Sequence, residues 1–450
     1  ISVVLQSRNA AQLDSLLTAL YDPSSSQYHQ WLLKGQFNAL FAPSASQVAQ
    51  VSSFLKQAGL KVIESTTPFL VRATGTTAQV EAAFHTRIND YQAANGQSFF
   101  QNNTAVQIPT SLSGLMIAVT GLSNTARLHP QYITTREAAQ KEGKPVPQYG
   151  AGPGGSGLTP SQTAGLYNAT GVYKLGSRGK GKGATLAVFE LSGYTPADIT
   201  TYEQQFFGPS ENVPLVDINV DGGPITPICP TGDMCPPPGD YSGDIEVEAD
   251  IETQIAIAPK IDRILVYNAP NDALGITITD EYLKIANDDL ADSISSSWGA
   301  CEQDVGFAAA QAESIAFKQM AMQGQSMFTS AGDTGAFDCL RDTGSPNLTA
   351  VAVGDPASQP YVTGVGGTSF GTFDPGSNLH PSYPTGFETV WNVLDQCSGT
   401  SMGLNNCLLF GASGGGVSIF WGRPSYQHGP GVTSTVRLSK IHDRIGGKTK

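Results

Sequence analysis

Ala184-Thr185-Leu186-Ala187-Val188-Phe189-Glu190-Leu191 is a strand-like run, the first of five in the second part of the chain. The others are Ile264–Tyr267, Ser293–Ser297, Met327–Ser330 and Val362–Val365, separated by stretches of helical pattern. Strands alternating with helices predict an α/β fold, with a mainly parallel sheet, flanking helices and active residues at the strand ends. Gly179, Gly181 and Gly183 precede the first run instead of following it. That order excludes a dinucleotide-binding glycine turn.

Upstream, helical and strand patterns are mixed. Ala10, Leu13, Leu16, Leu17 and Leu20 form a helical stripe within Asn9–Leu20. Ser44 with Gln47 is a capping-box signature ahead of Val48, Val51 and Leu55. Lys61-Val62-Ile63, Phe69-Leu70-Val71 and Met116–Val119 read as strands, with a helix at Ala78–His85. An α+β sandwich over residues 1–128 follows. Residues 1–150 carry net charge +3, leaving −16 of the total −13 for the rest. Between the two parts, Tyr149-Gly150-Ala151-Gly152-Pro153-Gly154-Gly155-Ser156-Gly157 is polar and without periodicity. It marks residues 129–157 as a linker open to proteolysis. Protonating an acidic partner weakens its hold on a basic one, so acid should loosen this pairing.

The 450 residues leave room for two domains, and 40% hydrophobic content is enough for a full core. The acidic balance argues against nucleic acid as a partner and suits acidic surroundings. No run of about 18 apolar residues occurs, so no segment is expected to span a membrane. Ile1–Gln6 is too short for a signal-peptide core, and a targeting signal would lie upstream of it. Six cysteines include two close pairs, Cys229/Cys235 and Cys397/Cys407, without C-x-x-C spacing. Disulfides and an oxidising compartment are expected in preference to zinc.

The chemistry concentrates in Asp244-Ile245-Glu246-Val247-Glu248-Ala249-Asp250-Ile251-Glu252. Ile245, Ala249, Ile251 and Ile255 give it helical character, ended by Pro259. Glu246 and Asp250 stack on one helical face, where like charges need solvent, a cation or a shared proton. Glu248 and Glu252 form a second such pair, and spacing does not choose between them. A solvated acidic face would produce the same pattern. Asp333, in Ser330-Ala331-Gly332-Asp333-Thr334-Gly335, sits between glycines after an apolar run, where its carboxyl can enter a crevice or merely close a turn. The D-T-G triplets at Asp333 and Asp342 lie too close together to come from the two lobes of a pepsin-like enzyme. Gly411–Ser418 is a glycine-rich loop able to approach an extended peptide.

Five motifs occur in order: Glu246-x-x-x-Asp250; Ser295-x-Ser297-Trp298-Gly299 followed by Glu302; Ser330-Ala331-Gly332-Asp333-x-Gly335; Val390-Trp391-Asn392; and Ser413-Gly414-Gly415-Gly416-x-Ser418. Together they resemble the sedolisins, the serine-carboxyl peptidases, and their kumamolisin-like branch in particular. The first part, including Gln27-Tyr28-His29-Gln30-Trp31-Leu32, resembles that family's activation domain. The resemblance implies a subtilisin-like fold in a peptidase domain at 158–428, preceded by an inhibitory prodomain. It implies Glu246 as general base, Asp250 as the group that orients it and shares its proton, and a protonated Asp333 as oxyanion donor. Ser297, Trp298, Gly299, Ser413, Gly414 and Gly415 would bind substrate. Calcium is expected in the family, but its C-terminal site is not expected in this chain. A glutamate base suits a working pH too low for neutral imidazole, and a carboxylic acid can donate to an oxyanion only while protonated. The six histidines fit neither a Ser-His-Asp order nor a metal site.

The family's nucleophile sits in a G-T-S-x-x-x-P motif downstream of the glycine-rich loop, and none follows Ser418. Gly399-Thr400-Ser401-Met402 precedes the loop and lacks the proline. Residues 429–450 are a divergent basic tail, with Arg437, Lys440, Arg444, Lys448 and Lys450 against Asp443. The expectation is a secreted, monomeric, acid-active endopeptidase zymogen acting on polypeptides, with its own prodomain as inhibitor. Without the serine segment, the chain as written is expected to be inactive. The alternative is a non-catalytic pseudopeptidase that binds peptides or a partner through the retained cleft.

Overall fold

The computed structural model describes the chain apart from residues 93–95, 97, 127, 131–157, 225–242, 273, 341–344, 346–349, 371–387, 393–410, 429–431 and 433–450. The linker beyond Pro130, the basic tail except residue 432, the two close cysteine pairs and Ser401 lie outside the described residues.

The N-terminal part runs β1 (Ser2–Leu5), α1 (Ala10–Tyr21), α2 (Gln36–Phe41), α3 (Ala45–Gln57), β2 (Lys61–Ile63), β3 (Leu70–Thr74), α4 (Thr77–Phe84), β4 (Ile88–Gln92), β5 (Ser98–Asn102) and β6 (Met116–Thr120). Helix α3 starts at the expected capping box: Ser44 Oγ accepts from the Gln47 amide, and Gln47 Oε1 accepts from the Ser44 amide. A second box, Thr76 with Gln79, opens α4. Strand order is β2-β3-β1-β6, with antiparallel pairing throughout.

Alternation along these strands divides two cores. Val3, Leu5, Val71 and Val119 face α3 and α4, meeting Val51, Leu55, Val80 and Phe84. Val4, Leu70 and Ala118 point the other way, into an apolar cluster that includes Phe317, Met320 and Met322 from the second part of the chain. Both faces of this sheet therefore carry apolar packing, and one of them is completed by the other part.

The second part runs β7 (His129–Pro130), α5 (Pro160–Leu166), α6 (Thr170–Tyr173), β8 (Thr185–Glu190), α7 (Pro196–Phe207), β9 (Leu215–Asn219), α8 (Asp244–Ile257), β10 (Arg263–Asn268) and α9 (Ile276–Asp288). It continues with β11 (Ser293–Ser296), β12 (Trp298–Cys301), α10 (Glu302–Val305), α11 (Phe307–Gln323), β13 (Ser326–Ser330), β14 (Gly354–Asp355), β15 (Thr363–Val365), β16 (Thr368–Phe370) and β17 (Glu388–Val390). Six of these strands form one parallel sheet, ordered β15-β13-β11-β8-β10-β9. Each of the five runs read as strands falls in it, so the expected parallel sheet with flanking helices is present. Val188, Ile264 and Val266 pack on α8 through Val247, Ile251 and Ile255. Phe189, Leu265, Tyr267 and Ile294 pack on the opposite face with Tyr282, Leu283 and Phe317. Both faces are covered, as a parallel sheet requires.

The apolar residues that give α8 its helical character do not all face inward. Ile245 is 55% exposed and Ala249 is also exposed, whereas Glu246 and Val247 are buried. Val247, Ile251 and Ile255 recur every four residues and cover the sheet, which turns Ile245 outward.

The two parts are joined by polar anchors around that shared core. Tyr21 Oη donates to the Ala321 carbonyl at 2.8 Å, and the Leu32 amide donates to the Met322 carbonyl at 2.9 Å. The Gln27–Leu32 motif thus meets the C-terminal end of α11. Arg72 on β3 is ion-paired with Asp280 on α9, whose side chain has no exposed surface. Thr66 Oγ1 also donates to Asp280 at 3.4 Å. Replacing Arg72 by alanine leaves a buried carboxyl without its counter-charge. We expect roughly 3–5 kcal/mol of destabilisation in denaturant titrations, and a change within 0.5 kcal/mol, the range of an ordinary surface site, would show that the pair holds nothing together.

Candidate active site

The described candidate residues gather at the carboxyl ends of the parallel strands, the usual location of sites in open α/β sheets. Glu190 ends β8, Ser297 follows β11, and Asp333 follows β13. Helix α8 begins beside them. Its N-cap, Gly243, lies so close to the Trp298 ring that a Cβ would stand 2.4 Å from Cη2. Glycine here lets the first turn of α8, with Glu246, settle against Trp298.

Asp250 accepts a 2.8 Å hydrogen bond from Ser297 Oγ, a second from the Ser297 amide, and shares a contact with the Glu190 carboxyl. Its Oδ2 is sealed from solvent. Burial raises its pKa to about 6, against the lowering effect of these hydrogen bonds. Glu190 has no exposed surface. Trp298 Nε1 donates to its Oε2 at 2.8 Å. Burial, then the charge of Asp250, pushes the Glu190 carboxyl well above its ordinary value, with Glu246 and Glu281 adding to the rise. Glu281, also fully buried, accepts from the Glu190 amide at 3.1 Å. Glu246, Asp250, Glu190 and Glu281 thus form a run of carboxyls that cannot all be ionised, so they titrate as a group and hold shared protons.

The second pair in α8 faces elsewhere. Glu248 accepts from the Thr195 amide at 3.0 Å. Glu252 is raised to about 7, first by burial and then by the charges of Glu248 and Asp198. Both look toward α7, away from Ser297. Spacing alone left the two pairs equivalent, and the packing distinguishes them.

Asp333 is buried, in a turn held by the glycine-rich loop. Its carbonyl accepts from the Ala412 amide at 2.8 Å, Gly335 N donates to Ala412 O at 2.9 Å, and Gly414 N donates to Gly332 O at 2.7 Å. A Cβ on Gly414 would come within 1.7 Å of the Ala331 carbonyl oxygen. Ser413 N donates to Trp391 O at 2.9 Å, and Ser413 Oγ accepts from the Gly367 amide at 3.0 Å. Ser413 and Gly414 therefore clamp the Asp333 turn, while Gly415 remains exposed. Glu302 anchors the far end of this loop, accepting from the Ile419 and Phe420 amides. Cys301, at the end of β12, is disulfide-bonded to Cys339, six residues beyond Asp333, and so ties the strand to this region.

The structure thus groups Glu246, Asp250, Ser297 and Trp298, and separately groups Asp333, Ser413 and Gly414. Glu190, which did not emerge from the sequence as a site residue, is the central member of the first group. Its signal was a carboxylate at the end of an apolar strand. Trp298, expected to bind substrate, has its ring turned inward to Glu190, and its backbone, with that of Gly299, forms the strand edge.

Both parts of the chain have known relatives. Residues 1–125 match the family described as "Pro-kumamolisin, activation domain". Sedolisin from Pseudomonas sp. (strain 101) is 29% identical over 435 residues, covering 95% of this chain and 66% of its own length. Xanthomonalisin from Xanthomonas sp. (strain T-22) is 30% identical, covering 95% of this chain and 51% of its own. The chain resembles the sedolisins over nearly its whole length. It spans about two thirds of sedolisin and half of xanthomonalisin. The solved structure of Pseudomonas sedolisin complexed with two molecules of pseudo-iodotyrostatin aligns with 60% of this chain and 66% of its own, at 26% identity and a TM-score of 0.41.

For calcium, which the resemblance implies for the family but at a C-terminal site not expected in this chain, the described residues offer one group of side chains to weigh. The group there that could share an ion is Cys301, Asp304 and Cys339, two of whose donors are sulfurs joined to each other. That set does not suit a hard, oxygen-seeking cation, and no step is derived through calcium.

A second buried cluster affects stability. Glu313 and Asp355 share a proton-bearing contact, and Gln359 Nε2 donates to both. Burial raises Asp355 to about 7, with Glu302 adding to the rise. Asp250 and Asp355 are both raised in the folded state. The stability they contribute is complete below their unfolded values near 4 and is lost as pH climbs through 6 and 7. Scanning calorimetry should therefore show a falling melting temperature between pH 4 and pH 8, with a shallower fall in Asp355→Asn; a flat or rising profile would contradict it. Gly414→Ala should cost about 1–3 kcal/mol or more through overpacking, and wild-type stability in that variant would contradict the clamp.

Proposed function

We propose that this chain is the zymogen form of a secreted, monomeric, acid-active serine-carboxyl endopeptidase. Its parts are a prodomain at 1–128, a processing linker at 129–157 and a peptidase domain at 158–428. The observation that carries this is the Glu246–Asp250–Glu190 run beside Ser297, held at strand ends in a chain that resembles the sedolisins. Glu246 would take the proton from a serine nucleophile, and Asp250 would keep it oriented through the proton they share. Asp333, protonated, would donate to the oxyanion as the scissile carbonyl becomes tetrahedral. The pairing of the N-terminal sheet with the peptidase core supports inhibition by the prodomain. Among the described residues, no helix is long and apolar enough to cross a membrane.

The family's G-T-S-x-x-x-P motif does not follow Ser418 within these residues, so no nucleophile is assigned. The second reading is a pseudopeptidase that holds peptides in the same cleft without cutting them. Incubation of the protein at pH 4, followed by mass spectrometry, separates the two. The peptidase reading predicts that the chain as written stays intact, that a version supplied with the family's G-T-S-x-x-x-P segment cuts itself between residues 131 and 157, and that Glu246→Gln in that version does not. It also predicts loss of cleavage as pH rises through about 6, where Asp250 gives up its proton. A version supplied with that segment that stays intact at every pH and still binds peptide would establish the second reading.

A further inference from the structure

His129–Pro130 forms a short antiparallel strand on the free edge of β12, with Gly299 opposite His129 and Trp298 opposite Pro130. This is how an extended peptide adds to a sheet: backbone pairing supplies affinity, and pockets for alternate side chains supply selectivity. The residue just before the pair is Leu128, 5% exposed within the apolar cluster that contains Ala269, Ile278, Trp298 and Ala300. Its carbonyl accepts from Asn271 Nδ2 at 2.7 Å. Its side chain borders a cavity of about 180 Å³ lined also by Leu274 and Ile278. The chain's own segment therefore lies in the place of a bound peptide, with an apolar anchor.

We propose that Leu128 marks a specificity pocket, so that polypeptide substrates bind on β12 with a leucine-like aliphatic residue in the Leu128 position. Asn271 would fix the carbonyl of that residue. Strand direction sets where the anchor lies. Moving from Pro130 toward the C-terminus of the bound peptide, the next residue comes level with Ser297, whose Oγ donates to Asp250. The aliphatic residue thus precedes the carboxyl cluster by three positions, on the N-terminal side of the bond to be cut. The inference rests on the proposed peptidase cleft and adds its selectivity.

The test uses the full chain carrying Leu128→Glu, which expels the chain's own segment from the pocket. Binding of a fluorescent peptide with the sequence of residues 126–131, Ala-Arg-Leu-His-Pro-Gln, is followed by anisotropy. Fully burying a leucine side chain is worth about 1.5–3 kcal/mol, so the same peptide with aspartate for leucine should bind at least about tenfold more weakly. The unaltered chain, its pocket filled from within, should bind either peptide more weakly than the variant binds the leucine form. Equal binding of both peptides by the variant would overturn the pocket while leaving the peptidase cleft standing. No binding of either peptide by a folded variant would overturn the cleft itself. Leu128→Ala, a milder change in the same assay, supplies the decision should Leu128→Glu not fold.

Discussion

Carboxylic acids packed together without cations set the terms for this molecule. Glu190 and Glu281 have no exposed surface, and Asp250 and Glu246 adjoin them. In such a cluster each added negative charge raises the cost of the next, so protons are retained to a pH at which free carboxyls have lost them. The strand ends, the α8 start at Gly243 and the Trp298 indole are arranged around that requirement. The Trp298 hydrogen bond opposes the upward shift of Glu190 without cancelling it. A site of this kind can be folded and poised in acid, where a histidine base would be charged and unable to accept a proton.

The second constraint is the face of the N-terminal sheet that carries Val4, Leu70 and Ala118. Left alone, that face would expose a contiguous apolar surface of the kind that usually marks an interface. It is buried instead on Phe317, Met320 and Met322 of α11. Arg72 reaching Asp280 fixes the register of the contact more than it drives it, since an ion pair taken out of water gains little net energy. The Leu128–Pro130 segment then leaves this sheet directly into the β12 edge. The N-terminal sheet and the β12 edge are thereby linked through one short run of chain.

Much of the fold was legible because parallel strands and their helices leave strong local patterns. The run at 184–191, the Ser44/Gln47 capping box and the strand at Lys61–Ile63 all read directly. The central strand β1 did not, because Ser2–Leu5 is only four residues long and carries no alternation; its role comes from partners more than sixty residues away. In α8, the apolar residues marked a helix but not its buried face, and the sheet selects the Val247–Ile251–Ile255 row. Glu190 was visible only as the polar end of an apolar strand. Its importance depends on Trp298, 108 residues later, reaching back to it. The choice between Glu246/Asp250 and Glu248/Glu252 likewise needed the position of Ser297, which no helical periodicity contains.

The shared protons at Asp250 are the center of this account, and carboxyl titration by NMR tests them most directly. With aspartate side-chain carboxyls labelled with carbon-13 and the Asp250 signal assigned by Asp250→Asn, the account predicts a midpoint near the value of about 6 that burial imposes. A midpoint at the ordinary aspartate value of 3.8 would mean that Asp250 ionises independently of Glu190 and Glu246, and would contradict it.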